Sequence, residues 1–213
     1  MDIQAKIDSL TEEILILISD KYKNFSEFLN ELKSYHIKEE LLYDNILPGS
    51  DNYEHYYESF SKVIDEYYKN PYVYEINEKL LLELNKLTNN EFDYRDRNII
   101  HRHFLHEIYD YNDLKIAVKK LFERFNDNSY TVLENHAFLI YNLYKIYPFF
   151  NALAIRLTCN VYLMKNDYLP LILSTSFKSD YYYIFQYEFG RFKEAYFKLI
   201  FKNLDFFKKK LGY

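Results

Sequence analysis

Three glycines in 213 residues (Gly49, Gly190 and Gly212) constrain this chain more than any motif in it. Glycine supplies the left-handed and strained conformations that tight turns and close backbone approaches require. With only four prolines besides, the chain has few places to turn sharply, which points to long helices joined by few tight turns. The same scarcity excludes a glycine-rich phosphate cradle of the P-loop or dinucleotide type, because no two glycines lie near each other.

Hydrophobic residues make up 49% of the chain and aromatic ones 20%, with 25 Tyr and 18 Phe. That is enough for a sizeable core and argues against disorder. A formal net charge of −5 argues against a nucleic-acid partner, since backbone binding needs a clustered positive field. The one basic run, Lys208-Lys209-Lys210, reads as a solvated helix end. Cys159 is the sole cysteine, so an intrachain disulfide is excluded and a reducing compartment fits. Its apolar helical surroundings read as those of a small buried hydrophobe. The start, Met1-Asp2-Ile3-Gln4, lacks the pattern of a cleavable signal, and no run of about 18 apolar residues is present. These features predict a soluble protein without membrane contact, cytoplasmic or delivered into another cell without a cleavable signal peptide.

Along the chain, Ile3, Ile7, Leu10, Ile14, Leu17 and Ile18 recur at helical spacing. Asn24 and Ser26 are candidate caps for a short second helix through Leu29 and Leu32. Residues 47–52 (LPGSDN) form the clearest loop and divide an N-terminal helical extension, 1–48, from a helical domain, 53–209. Further helices are expected at about 53–68, 75–88, 111–126, 130–146, 152–166, 177–188 and 191–209. Residues 92–106 (FDYRDRNIIHRHFLH) lack a helical stripe and predict a short strand or hairpin, at about 93–105. The fold class is therefore mostly α, with one small β excursion.

The helix, loop and helix at 130–173 are similar to the core of the Fic family, whose signature is His-Pro-Phe-x-(Asp/Glu)-Gly-Asn-Gly-Arg followed by a helix with a second Arg. Ile146-Tyr147-Pro148-Phe149 matches Ile-His-Pro-Phe except at the histidine. With two loop residues absent, Asn151 falls on the motif's Asn and Arg156-Leu157 on the second Arg-Leu, with Asn160 and the exit Asp167-Tyr168-Leu169-Pro170 in line. LLLELNKL (80–87) resembles the helix before the family's flap, DYRDRNIIHR (93–102) the flap itself, and DLKIAVKKLFERFND (113–127) the helix that follows. SDYYYIFQYEFGRFKEAYFKLI (179–200) resembles the helix pair after the motif. The resemblance implies a Fic-like helical bundle with a small β-hairpin flap, in which Asn98, Ile99 and Ile100 belong to the flap.

In the family, the motif His is the base for AMP transfer from ATP, its acidic residue holds Mg²⁺, and the Gly-Asn-Gly amides with the first Arg hold phosphate. Here Tyr147 replaces the base, and a tyrosine with a reference pKa of about 10 is a poor base at neutral pH. The magnesium carboxylate has no counterpart, and an ungapped matching offers only the neutral Asn151. Ala152 and Leu153 stand where Gly and Arg would be, removing the permissive backbone and the phosphate charge. The expectation is a chain that has lost AMP transfer, with no catalytic residue, metal or cofactor.

Any ligand still bound would meet Tyr147, Pro148, Phe149, Asn151 and Arg156. Each has a plainer reading. Arg156 can pair with a core-edge carboxylate instead of an anion. Asn151 suits an N-cap of the 152–166 helix. Tyr181-Tyr182-Tyr183 can pack instead of stacking on a purine. His101, His103 and His106 lack the cysteine or acidic companions of a zinc shell. Ser50-Asp51-Asn52-Tyr53-Glu54 has the Ser-x-x-x-Glu shape of the family's self-inhibitory helix. Two functions follow. One is a silent Fic-fold protein acting on a protein partner as regulator or effector, with nucleotide binding not expected. The other is an enzyme of altered chemistry that transfers a different phosphate- or sugar-containing group.

Overall fold

The computed structural model describes residues 2–89, 93–99, 109–127, 129–149, 152–173 and 175–212. The helices are α1 (Ile3–Lys21), α2 (Phe25–Tyr43), α3 (Tyr53–Val63), α4 (Glu78–Asn89), α5 (Leu114–Asn126), α6 (Val132–Ile146), α7 (Leu153–Lys165), α8 (Lys178–Ile184) and α9 (Phe189–Lys210). A π turn, Ile64–Tyr68, extends α3, and a 3-10 turn at Pro71–Val73 follows it. The mostly helical class is the one expected, and among the described residues no strand occurs.

Local chemistry sets the helix ends. The Asn24 side chain accepts the Glu27 N–H at 3.0 Å, and the Glu27 carboxylate accepts the Lys23 N–H at 2.8 Å. Two otherwise orphaned donors are thus satisfied at the start of α2. Thr131 and Glu134 form a capping box at the start of α6. The second helix is much longer than expected. It does not stop after Leu32, because His36, Ile37, Glu40, Leu41 and Tyr43 carry its buried face onward. The turn at 44–52 then uses left-handed backbone at Asn45 and Gly49 (φ 62° and 86°).

α7 occupies the centre: every residue from Leu153 to Met164 is buried. It packs on α4, α6 and the π turn, while α1 lies against α9 and α2 against α3. The apolar stripes of the central pair, Leu133, Ala137, Ile140 and Tyr144 facing inward from α6 and Ile155, Cys159, Tyr162 and Leu163 from α7, are all buried. One contiguous core runs from Ile7 to Leu211.

Leaving α7, residues 169–173 run non-helically through the interior, where unpaired backbone groups would be costly. Two asparagines supply the partners. Asn160 accepts the Leu171 N–H at 2.8 Å and donates to the Leu171 carbonyl at 3.1 Å. Asn203 accepts from the Ile172 N–H and donates to the Pro170 carbonyl, both at 3.1 Å.

The hairpin expected at 93–105 is not seen where it can be followed. Residues 93–99 form bends, and residues 100–105 lie outside the described residues. The polar groups of this stretch go to the rest of the chain instead of a facing strand: the Arg95 N–H donates to the Pro148 carbonyl at 2.9 Å.

Candidate functional site

α6 ends at Tyr147, whose left-handed backbone (φ 47°, ψ 66°) turns the chain out of the helix while its N–H still donates to the Leu143 carbonyl at 2.7 Å. For a residue with a Cβ this conformation costs roughly 1–2 kcal/mol. Packing holds it there. The Tyr147 ring is 3% exposed and lies 6.2 Å from the Tyr144 ring. Pro148 and Phe149 are also buried, and Phe149 stacks on Tyr94 at 5.9 Å.

Arg95, which sequence reasoning did not single out, fastens the loop from the other side. Its buried guanidinium donates to the carbonyls of Tyr147 and Arg97, both at 2.9 Å, and to that of Tyr109. Asn98 joins the same knot: it accepts the Tyr111 N–H at 2.9 Å and donates to Asp110 at 2.8 Å. Ile99 packs against the core, half-buried. Ile100 and Asn151, and the three histidines at 101, 103 and 106, lie outside the described residues. The N-cap position of α7 falls on Ala152, not Asn151, and carries no side-chain cap. Alanine has no oxygen to offer there.

Arg156 sits one turn into α7 and is 2% exposed. Its Nε donates to Glu40 at 2.7 Å and its second terminal nitrogen to Asp44 at 2.7 Å. The other terminal nitrogen makes a long contact, 3.5 Å, with the Tyr144 hydroxyl, and the guanidinium lies 4.7 Å from the Tyr43 ring centre. On the far side of Glu40, His36 Nε2 stands 3.8 Å from the second carboxylate oxygen. The pairing with carboxylates, one of the two readings of Arg156, is the one found. Its partners come from α2 and its C-cap, while residues 50–54 form the turn before α3 and its start, exposed except for the half-buried Tyr53.

One guanidinium meets two carboxylates, Glu40 fully buried and Asp44 mostly so, which makes each interaction strong and each unpaired charge costly. Burial pushes the Glu40 carboxyl up, but Arg156 and His36 outweigh it and hold the group below the ordinary carboxylate range. Burial dominates at Asp44 and raises it, with the Glu40 charge adding to the effect. The carboxylates, against the opposing effect of burial, hold Arg156 well above its usual value, so it stays charged.

Burial drives the Tyr147 hydroxyl well above 10, aided by Tyr144 and Tyr182. A phenol so placed cannot take a proton at neutral pH. Ala152, Leu153, Ala154 and Ile155 are 0–2% exposed, so the first turn of α7 opens no N–H groups to solvent. Of the three tyrosines after the loop, Tyr181 and Tyr182 are buried among aromatic rings and Tyr183 is exposed. Among the described residues, no group of three or more His, Cys, Asp or Glu is placed to hold a metal. No helix there is long and apolar enough to cross a membrane.

One sequence signal for the site was legible. His36 and Glu40 fall four residues apart on the buried face of α2, with Asp44 a further four residues on at its C-cap, and a carboxylate facing a core demands a cation. Arg95 left no such signal, because its acceptors are backbone carbonyls of remote segments.

No family model matches the chain, and neither does any curated protein. Solved structures do. A Fic-1 protein from C. elegans superposes with a TM-score of 0.70 at 13% identity, over 97% of this chain and 71% of that one. A Fic domain containing signaling protein from Bacteroides thetaiotaomicron superposes with a TM-score of 0.66 at 17% identity, over 98% and 95% of the two chains.

Proposed function

Starting from the Fic fold, which this chain shares with those two structures over nearly its whole length, we propose that it performs no AMP transfer and works by binding a protein partner. A regulator, or an effector delivered into another cell, is the kind of protein this describes. The observation that carries the reading is Arg156. Arg156, which falls on the family's second Arg and would have to be free to reach an anion at the start of α7, is held between Glu40 and Asp44 at 2.7 Å each. Two further features support it. The residue in the base position is a buried phenol, and the helix start behind it is buried.

The test is incubation with labelled ATP and Mg²⁺. No label is expected on the chain itself or on proteins of a lysate. Tyr147→His should not restore labelling, because groups that act as a unit are strongly non-additive and one recovered member gains little. Labelling by the wild type would overturn the reading.

A second reading has one observation in its favour. Arg156 is retained as a charged group beside the loop, and a displacement of α2 would free it. An enzyme of altered chemistry, transferring another phosphate- or sugar-containing group, would then bind its donor there. Thermal-shift titration of the wild type and of Glu40→Gln/Asp44→Asn with ATP, UTP, CDP-choline and nucleotide sugars separates the two. The first reading expects no shift with either protein.

A further inference from the structure

A groove of about 400 Å³ runs between α5 and α6, away from Arg156 and its carboxylates. It is lined by Asp113 at the N-cap of α5 and by residues 116, 117, 120, 121 and 124 on that helix, a spacing of three and four that puts them on one face. Phe138, Asn142, Lys145 and Ile146 form the facing wall from α6. At about 1.5 Å per residue the α5 stripe is about 16 Å long, room for roughly five extended residues.

Its charge is at odds with the rest of the molecule. The chain carries −5, yet Lys120, Arg124 and Lys145 line this groove against a single carboxylate, Asp113. Among the described residues none of the three cations has an ion-pair partner. The Lys145 ammonium instead rests 4.4 Å from the Tyr141 ring centre. Lys120 and Arg124 are exposed. Between the cations the floor is apolar, and its rim exposes Ile116 at 57% and Tyr109 at 49%. Isolated exposed apolar residues are ordinary, but an apolar floor flanked by cations that have no ion-pair partner among the described residues is a surface with a defined complement.

We propose that this groove binds a short acidic segment of a partner protein. Carboxylates of the segment meet Lys120, Arg124 and Lys145, and an apolar side chain lies against Ile116 and Phe138. A free phosphate would leave the apolar floor and most of the groove's length unused. A nucleic acid needs a wider positive field than three cations on an acidic protein supply. The proposal rests on the reading of this chain as a protein-binding one and names the surface that does the binding.

The test starts from a displayed library of random peptides about a dozen residues long, selected on the immobilised full chain. Recovered peptides, labelled with fluorescein, are then titrated by anisotropy. We expect them to combine Asp or Glu with at least one Leu, Ile, Met or Phe, and to bind more weakly as salt is raised, since the charges are exposed. Lys120→Glu/Arg124→Glu should weaken binding at least about tenfold, as reversal of complementary charges at an interface does. Lys6→Glu/Lys198→Glu, at exposed positions on α1 and α9, should leave binding unchanged, and both double variants should melt with the wild type. Three results would overturn the proposal: no enrichment of acidic peptides, equal binding by Lys120→Glu/Arg124→Glu, or equal binding of versions with Gln and Asn in place of the acids. AMP transfer by the wild type would count against the function proposed above while leaving this peptide result unaffected.

Discussion

His136 is fully buried in α6, stacked between Tyr162 and Tyr196 with ring centres 6.4 and 5.6 Å away. Its Nδ1 stands 3.4 Å from the Tyr196 hydroxyl, and its Nε2 has no hydrogen-bond partner among the described residues. Burial pushes its pKa from 6.5 down to about 3. The native protein therefore holds this imidazole neutral, while the unfolded chain takes up a proton as the pH falls through 6.5. A pKa depressed on folding contributes stability above the unfolded value and loses it on the way down to the folded one. At about 1.36 kcal/mol per unit, the loss is about 2 kcal/mol between pH 7 and pH 5 and about 4 kcal/mol by pH 3. Set against a typical stability of about 5–15 kcal/mol, that is a large share carried by one ring. His136→Phe keeps an aromatic ring between the two tyrosines and removes the titration. Urea unfolding of both proteins at pH 7, 6 and 5 reads the effect, with the slope on denaturant checked for constancy. Carboxylates and the other histidines act in both proteins and cancel in the difference. The wild type should lose about 2 kcal/mol more than the variant across that interval. Parallel losses would refute the reasoning, since they would mean that native His136 takes up its proton as readily as the unfolded chain does.

Arg156→Ala should cost about 3–5 kcal/mol in the same unfolding assay, because it leaves Glu40 and Asp44 buried without a cation; a loss under about 1 kcal/mol would mean that water reaches the pair. Tyr147→Ala should cost roughly 3–5 kcal/mol, as large aromatic truncations in a core do. Tyr147→Gly should cost somewhat less than the alanine variant despite removing one more carbon, because glycine relieves the left-handed strain. Asn160→Ala deprives the Leu171 N–H and carbonyl of their partner and should destabilise by about 1–3 kcal/mol for each group left unpaired, read as a fall in melting temperature.

Several elements were legible because their cause is local. α1, α5, α6, α7 and α9 follow from apolar residues at helical spacing, and the loop at 47–52 follows from its Pro-Gly-Ser-Asp-Asn composition. The true length of α2 was less visible. Its second half mixes His36 and Glu40 into the apolar stripe, and only the presence of Arg156 makes burial of Glu40 tolerable. At 93–99 the lack of a helical stripe does not mean a strand. The order of this stretch comes from Arg95 and Asn98, whose partners lie at Tyr147, Tyr109 and Tyr111.

By itself the sequence determined the class of structure and the elements along it. With three glycines, four prolines and apolar residues at helical period, a helical bundle is what the backbone can form and what buries those side chains. It also determined which groups stand in the loop after α6, and hence that a phenol, not an imidazole, stands at position 147. The tertiary structure decided what those groups face. That Arg156 meets Glu40 and Asp44, 116 and 112 residues away along the chain, depends on how α2 lies across α7. Periodicity tells which face of a helix is buried but not which helix covers it, and the partner of a buried charge is set by that second choice.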